Sequence, residues 1–416
     1  MSRFFGFGSL SLYASITAAV VCGCGSTGLV APAQDAPDAA PSIDSNVVSP
    51  TDSYVAPLES GVDEAGPVPG SGAGLLVVVA QTTLGGVLST LDPQTGEELL
   101  REPSSPTAIA YESARDLWFV IDEARPAPSR LRALRWDGVT RRWIELGRLA
   151  VAGASNPIVL VNRIVFGSSN DLTVVDTTDP SAMHATVTSV SSSTTAMPIG
   201  GIPGTGTDGA LFSFSMTACS SLRCKLEMQR IAVPSSGTSS LDGPSIPLGS
   251  IAEGPLPTAV FRTFAPTDMR ALLVGYADGG AVDFLSIPSS GAPSHPERLA
   301  TLPGHAWPSP VMLDFDACEG TVFVGDPSGN ELSIFPFNVT PRTPSIVAQP
   351  APPIGLAYDP YHRTLFVASS DGKLAGYPVL RSSPSLETLG APLPLRVPAD
   401  LTPVVVATKR PVGNCP

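Results

Sequence analysis

The sequence predicts an all-β fold: a seven-bladed β-propeller of four-stranded blades, whose C-terminal strand joins the N-terminal strands and closes the ring. The first observation behind this prediction is composition, because 44 prolines and 39 glycines in 416 residues favour many turns over long helices. The second is a group of four short strands that recurs at a spacing of roughly 40 to 60 residues, which is typical of propeller blades. The third is a pair of incomplete groups, one at each end of the repeat region.

The repeat unit is plainest in residues 352–379, which read PPIGLAYDPYHRTLFVASSDGKLAGYPV. A Pro-led strand, IGLAYD, is followed by TLFVAS and then, across an Asp-Gly turn that favours a hairpin, by KLAGYPV. The same order recurs five times upstream, each time with a fourth strand candidate behind it. The leading prolines of the six full groups are Pro106, Pro157, Pro198, Pro257, Pro310 and Pro353. Two packed β-sandwiches are the alternative, but they do not explain one order of strands that recurs along the whole region.

The two incomplete groups complement each other. The N-terminal group contains LLVVVAQ, GVLSTLD and EELLR, which correspond to second, third and fourth strands without a first. The C-terminal group is TPVVVA, with Pro403 in the leading position, which corresponds to a first strand without the rest. Together they predict a seventh blade, and closing the ring removes open sheet edges. A leading proline suits the start of an inner strand, where its missing N–H costs little.

These repeats resemble those of YVTN/lactonase-like β-propellers over roughly residues 73–408, with LFVA and VFVG where the YVTN tetrapeptide would stand. The resemblance is to the repeat pattern, and no Trp-Asp pair recurs from repeat to repeat as it does in WD40 proteins. It implies a binding site at the mouth of the central channel, formed by the turns that precede the inner strands. The polar and aromatic candidates in those turns are Ser105, Asn156, Glu253, His305, Trp307 and Asp400. His305 and Asp400 could form an acid–base pair beside Trp307, or these could be unrelated loop residues.

The N-terminus has the pattern of an export signal: MSR is followed by the apolar run FFGFGSLSLYASITAAVV. The next residues, VCGC, resemble the bacterial lipobox, with Val21, Gly23 and Cys24 in matching positions and Cys22 in a less usual one. We therefore expect residues 1–24 to be a lipoprotein signal that ends at a lipidated Cys24. An uncleaved anchor and a freely secreted product are the alternatives. Gly and Ser after Cys24 resemble outer-membrane sorting signals, so we expect an exported protein at the outer membrane or cell surface.

Residues 25–72 are rich in Pro, Ala, Ser and Asp and carry seven acidic residues and no basic one. Such a segment cannot bury enough apolar surface to offset the entropy of ordering, so it is predicted to be a disordered, extended tether for a propeller domain at 73–416. The whole chain has a formal net charge of −13. This charge argues against nucleic-acid binding, which needs clustered positive charge. Contact with a membrane is expected through the lipid anchor alone.

Four cysteines remain after the signal. Cys219 and Cys224 lie on either side of a predicted hairpin tip, so a local disulfide is expected there. Cys318 and Cys415 each follow an inner strand, which would place both at the same end of the ring. A disulfide between them would tie the C-terminal tail to a distant blade. Two free, buried thiols are the alternative.

The sequence shows no convergent catalytic or metal-binding motif. Its four histidines are scattered over different blades, and neither HxH, HExxH nor GxSxG occurs. Residues 326–330, DPSGN, could be a calcium loop or an ordinary turn. Two carboxylates from different blades could still meet at the channel. No metal and no cofactor are expected.

A basic cluster in residues 129–148 stands out from the acidic background. Its candidate binding residues are Arg132, Arg135 and Trp136, with further arginines at 130, 141, 142 and 148. The cluster could bind an anionic polymer or a partner protein, or it could protect an exposed sheet edge.

These observations predict a monomeric, envelope-anchored, non-enzymatic binding or scaffold module that takes a protein or polysaccharide partner at the top face of the propeller. An exported lactonase-like hydrolase with its site at the channel mouth is one alternative. An envelope-assembly propeller lipoprotein is the other.

Overall fold

The architecture is taken from a computed structural model, which describes residues 74–410 with internal gaps. The gaps are 124–127, 152–156, 161, 169–170, 190–196, 204–208, 221–222, 234–239, 242–244, 253–257, 264–269, 278, 288–296, 303–304, 307–310, 317–318, 337–343 and 384–385. All described residues belong to one compact unit, Pro67–Pro416. Within the described ranges, no helix is long and apolar enough to cross a membrane.

The described strands form seven antiparallel sheets, which we number as blades 1 to 7. Blade 7 combines both ends of the repeat region: β1 (Leu76–Thr82), β2 (Gly85–Leu91), β3 (Glu98–Pro103) and β29 (Thr402–Thr408). Blade 1 contains β4 (Pro106–Glu112), β5 (Leu117–Asp122), β6 (Ser129–Asp137) and β7 (Arg142–Val151). Blade 2 contains β8 (Ile158–Leu160), β9 (Arg163–Ser168), β10 (Asp171–Asp176) and β11 (His184–Ser189).

The other blades follow in chain order. Blade 3 contains β12 (Met197–Pro203), β13 (Gly209–Ser220), β14 (Arg223–Val233), β15 (Ser240–Leu241) and β16 (Ile246–Ala252). Blade 4 contains β17 (Thr258–Thr263), β18 (Arg270–Gly275), β19 (Ala281–Ile287) and β20 (Glu297–Thr301). Blade 5 contains β21 (Met312–Asp316), β22 (Thr321–Asp326), β23 (Glu331–Pro336) and β24 (Ser345–Ala348). Blade 6 contains β25 (Pro353–Asp359), β26 (Thr364–Ser369), β27 (Leu374–Ser383) and β28 (Leu386–Leu389). Two short 3-10 helices, η1 (Ser113–Arg115) and η2 (Pro180–Ala182), lie in turns of blades 1 and 2.

The ring closes through blade 7, as predicted. Strand β29 pairs antiparallel with β1, from Leu76 opposite Thr408 to Gln81 opposite Thr402, and the sheet order is β29-β1-β2-β3. The first strands of successive blades also contact one another in an unbroken circle: β29, β4, β8, β12, β17, β21, β25 and again β29. These strands therefore surround the central axis. The predicted seven-bladed, all-β fold is confirmed.

Blade 3 departs from the predicted four strands. Its third strand, β14, is long enough to pair with two consecutive partners, β15 at residues 231–232 and β16 at residues 223–228. The strand predicted from PSIPLG is β16, whereas β15 is a two-residue strand that the pattern of the sequence did not indicate. The sheet consequently has five strands.

The core lies between the blades. Strands β22 and β26 are buried at every position, because a second strand is covered on both faces by neighbouring blades and so needs no alternation of polar and apolar residues. Between blades 7 and 1, Trp118 and Trp143 meet edge to face with ring centroids 5.9 Å apart. The Trp143 indole N–H donates a hydrogen bond of 3.0 Å to Thr90 Oγ1, which satisfies its polar atom inside this apolar contact.

Candidate functional site at the mouth of the channel

The inner strands share a local feature at the end of the ring where they begin, which we call the channel mouth. In four of them the pairing register shifts directly after the leading proline, so that one extra residue stands opposite the second strand. The four bulged residues are Thr107, Ile199, Ile354 and Val404. A β-bulge leaves its extra residue out of the hydrogen-bonded ladder, and bulges are frequent at barrel rims and next to binding sites.

The leading proline favours such a bulge but does not require it, since Ile158 and Thr258 also follow a leading proline and pair in register with Val165 and Gly275. Proline cannot donate to the ladder, so the strand starts with an interruption that a bulge accommodates. All seven leading prolines are followed by a β-branched residue, in the dipeptides PT, PI, PI, PT, PV, PI and PV in chain order. The leading prolines were predicted from the sequence, whereas the residue after each of them was not singled out. The repeated pair of a proline and a β-branched residue marks the position, but it does not tell which blades have a bulge there.

The bulged side chains are accessible from the channel mouth. Val404 is 43% exposed although it lies on an innermost strand of a closed ring. Thr107 is also exposed and Ile354 is half-buried, while the side chain of Ile199 lies outside the described residues. We name Thr107, Ile354 and Val404 the mouth collar. It combines small, stiff side chains, apolar at Ile354 and Val404, with backbone groups outside the ladder, which suits binding rather than proton transfer. The Thr107 hydroxyl donates to the Ile121 carbonyl at 3.3 Å.

The titratable side chains of the inner strands lie toward the opposite end, the channel base. Glu112 ends β4 and forms an ion pair of 2.6 Å with Arg115. Asp359 ends β25, and its Oδ2 lies 2.7 Å from His362 Nδ1. The hydrogen bond to Asp359 raises the pKa of His362, although burial opposes this. These buried carboxylates are thus compensated within their own turns.

The chain segment that follows β29 crosses the channel base. Arg410 places its guanidinium 2.7 and 2.8 Å from the two carboxylate oxygens of Asp314 in blade 5. On the other side, Lys409 Nζ lies 2.8 Å from Asp116 Oδ2 in blade 1. The Thr408 hydroxyl donates to the Tyr358 carbonyl at 2.6 Å and so ties β29 to β25. The closing strand is therefore held by contacts to three other blades.

His305 is part of a buried cluster between blades 4 and 5. Its side chain is fully buried, and Nδ1 lies 2.8 Å from Asp326 Oδ1. The Ser328 hydroxyl donates to the same carboxylate oxygen at 2.6 Å and lies 3.3 Å from the same ring nitrogen. Burial favours a higher pKa for Asp326, but the hydrogen bonds from Ser328 and His305 hold it below its usual range. A Ser-His-Asp triad places the serine at the ring nitrogen opposite the carboxylate, so this arrangement ties loops together rather than activating a nucleophile.

Asp400 has a different partner. Arg101 binds it through two hydrogen bonds of 2.5 and 3.1 Å, which lower the pKa of the carboxyl. The two side chains that the sequence suggested as an acid–base pair are thus engaged separately, His305 with Asp326 and Asp400 with Arg101.

The other candidates from the turns are only partly described. Ser105 is exposed, and its carbonyl accepts a hydrogen bond of 2.8 Å from the Glu123 N–H. Asn156, Glu253 and Trp307 lie outside the described residues, so their role stays a prediction. The same holds for the lipidated Cys24 and the tether at 25–72.

The cysteines are described at one position. Cys224 is buried and disulfide-bonded, at the start of β14 beside the predicted hairpin tip. The side chain of Cys219 and both Cys318 and Cys415 lie outside the described residues, so the two pairings remain predictions. The contact of Arg410 with Asp314 supports the second pairing, because it brings the tail to the strand that precedes Cys318.

The arginine cluster of blade 1 divides into engaged and exposed side chains. Arg132 lies 2.7 Å from Asp122 and 3.3 Å from Glu102 of blade 7, so it is part of an ion-pair network between blades. Arg135 is exposed. Trp136 is half-buried and packs edge to face on Trp143, with ring centroids 5.0 Å apart. Of the three candidate residues, Arg132 is thus already paired.

Among the described residues, no three His, Cys, Asp or Glu side chains are grouped as metal ligands. Residues 327–330 form a turn, in which Asp326 Oδ1 accepts hydrogen bonds from the Ser328 N–H at 2.9 Å and from its hydroxyl. This carboxylate oxygen caps the turn, as Asp commonly does.

The structure is similar to that of a candidate 6-phosphogluconolactonase from Bacteroides fragilis NCTC 9343, with a TM-score of 0.57, 12% identity and coverage of 82% of this chain and 99% of that one. The chain is similar to lactonase-like seven-bladed β-propellers. A second candidate 6-phosphogluconolactonase, from Bacteroides uniformis ATCC 8492, matches with a TM-score of 0.56, 14% identity and coverage of 81% and 100%. A functionally unknown protein from Desulfotomaculum acetoxidans DSM 771 matches with a TM-score of 0.50, 13% identity and coverage of 81% and 99%.

Such low identities establish the shared fold and leave the activity of this chain open. No family model matches the sequence, and no curated protein matches it.

Proposed function

We propose that the protein is a non-enzymatic binding or scaffold module that takes a partner at the channel mouth and is anchored to the cell envelope through Cys24. The observation that carries this proposal is the mouth collar: β-branched side chains at bulges, apolar at Ile354 and Val404, with Val404 43% exposed on an innermost strand. The anchor rests on the lipobox resemblance and the acidic tether.

The collar favours a protein segment over a polysaccharide at this site. An extended protein segment offers both apolar side chains for the collar and main-chain groups for backbone atoms that a bulge leaves outside the ladder. A sugar chain offers hydroxyls but little apolar surface. We therefore assign the mouth to a protein partner.

Hydrolysis is the weaker alternative because it rests on similarity of fold alone. A lactonase-like reaction needs an acid, a base or a metal beside the substrate. Of the candidate groups described near the mouth, His305 is buried against Asp326 and Asp400 is bound by Arg101. The envelope-assembly role is a special case of the binding module, in which the partner would be assembly machinery.

Site-specific photocrosslinking in intact cells tests the proposal. A photoreactive amino acid at position 404 should give one defined protein adduct, whereas the same residue at position 187, a valine 66% exposed on an outermost strand, should not. Thr107→Asp should abolish the adduct while the protein keeps its melting temperature, because Thr107 is exposed and a charge in the collar opposes an apolar partner. Equal labelling at both positions, or turnover of a lactone panel by the purified protein, would contradict the proposal.

A further inference from the structure

The outer edge of blade 1 carries a second feature that the proposed function does not use. Five arginines on β6, β7 and the turn between them are exposed, and we name them the arginine edge: Arg130, Arg135, Arg141, Arg142 and Arg148. Arg148 forms an ion pair of 2.6 Å with Glu145. Within the described part of the chain, the other four form no ion pair.

The local charge contrasts with that of the whole protein. The chain has a net charge of −13, yet these five cations lie within 19 residues that contain only two acids, Asp137 and Glu145. Asp137 accepts hydrogen bonds from the Val139 N–H at 3.0 Å and from the Thr140 N–H and hydroxyl, so it is engaged in the turn. The edge is therefore a concentrated positive strip on an acidic molecule.

The cations are arranged along a line rather than around a point. Arg142 begins the outermost strand, and Arg148 lies six residues or about 20 Å further along it. Arg142 stands opposite Asp137, and Arg148 stands opposite Arg132, so the exposed arginines are spread along the β6–β7 pair. Arg130 and Arg135 are five residues apart on β6, so they lie on opposite faces of this edge. A single small anion can contact only one or two of them. A linear polyanion can contact the whole strip.

Protection of a sheet edge does not account for this charge. Two other outermost strands contain no arginine or lysine, since β11 reads HATVTS and β24 reads SIVA, and β3 and β20 contain one arginine each. One or two charges suffice to discourage edge pairing. Five on one blade exceed that requirement.

We propose that the arginine edge binds an acidic polysaccharide, whose carboxylates pair with the guanidinium groups along β7. A folded protein partner would need a buried apolar centre, whereas the largest side chain here, Trp136, is already packed on Trp143. Nucleic acid carries a denser charge and would be repelled by the strongly acidic remainder of the molecule. An acidic polysaccharide carries fewer charges per unit length and meets less repulsion.

Binding of the full-length protein to polygalacturonate tests this inference, with uncharged dextran as the control polymer. The affinity should fall steeply with salt, and replacing all five arginines by Ser should weaken it at least about tenfold. A matched variant removes five exposed cations from other blades, Arg223, Lys225, Lys373, Arg381 and Arg396, and should bind like the wild type. Both variants should keep the melting temperature of the wild type, since every replaced side chain is exposed.

Three results would overturn the inference: no binding by the wild type, equal loss in both variants, or equal or tighter binding of DNA of similar length. A fourth is binding that appears only after the seven acidic residues of 25–72 are changed to Asn or Gln. That result would mean that the protein's own tether, and not a polysaccharide, occupies the edge in the wild type. None of these outcomes depends on position 404, so they are independent of the photocrosslinking result.

Discussion

At the scale of single residues, the stability of the channel base depends on the partners of one buried carboxylate group. Asp314 has a side chain only 4% exposed, and it accepts hydrogen bonds from the N–H groups of Phe315 and Tyr358 at 2.8 and 2.7 Å. Arg410 supplies the compensating charge. A buried charge without a partner destabilises the folded state, so Arg410 stabilises the protein mainly because it compensates the charge of Asp314.

Replacing Arg410 by Ala should lower the free energy of unfolding by roughly 2–3 kcal/mol, because Asp314 stays buried without its ion pair. Urea denaturation measures this change. Arg396→Ala is the control, since Arg396 is exposed, and it should change stability by less than about 0.5 kcal/mol. Equal effects of the two substitutions would show that the Arg410 contact does not stabilise the ring.

A second residue-scale prediction concerns His362, whose pKa is raised by the hydrogen bond to Asp359. The folded protein therefore holds this proton more tightly than the unfolded chain does. The resulting stabilisation is complete below the unfolded pKa of about 6.5 and is lost as pH rises through the higher folded value. The difference in unfolding free energy between the wild type and His362→Gln should shrink over that interval. An NMR titration that places the pKa of His362 at or below about 6.5 would contradict the prediction.

At the scale of elements, the long β13–β14 hairpin extends blade 3, and its tip lies near Cys224. Residues 209–217 pair with 225–233, and a register shift then precedes the pairing of Ser220 with Arg223. The sequence places Cys219 just before this tip, so a local disulfide would fasten the end of the hairpin.

Non-reducing peptide mapping should find Cys224 joined to Cys219. Cys224→Ser should then lower stability by about 2 kcal/mol, the amount expected for closing a short loop in the unfolded chain. The control is a measurement of both proteins under reducing conditions, where the wild type and the variant should have the same stability. A peptide that joins Cys224 to Cys318 or Cys415 would show that the hairpin pairing is wrong.

At the scale of the whole molecule, ring closure joins strands more than 300 residues apart in the chain. Strand β29 buries Val406 and lies next to Leu401, and its register with β1 extends over six paired positions. Every blade then has two neighbours, so the stability of each blade depends on closure.

Deleting residues 400–416 should therefore destabilise the entire domain and lower the melting temperature by roughly 10 °C or more. The deletion removes the inner strand of blade 7 and the ion pairs of Lys409 and Arg410. A protein that lacks residues 25–66, which precede the compact unit, is the control and should melt like the full chain. A truncated protein with an unchanged melting temperature would refute closure by β29.

Much of the fold could be predicted because each blade repeats one local order of strands and turns. The residue after each leading proline was equally readable in the sequence, but the sequence does not tell which of them bulge out of the ladder, since Thr258 pairs in register with Gly275. The partners of Asp400 and Arg132 could not be predicted. Arg101 lies 299 residues from Asp400, and they meet only because the ring brings the connection before β29 beside β3.

The sequence by itself determined the number of blades, the four main strands of each and the strand that closes the ring, because the alternation of side chains, turn residues and leading prolines act within a few residues. The short strand β15 of blade 3 was not among them. Only the tertiary structure decided which charged side chains are exposed for binding and which are engaged within the fold. It engages Arg132 between two blades and buries His305 against Asp326, but it leaves Arg135 exposed. The physical reason is that burial and ion pairing depend on neighbours in the adjacent blade, which the order of residues within one blade does not specify.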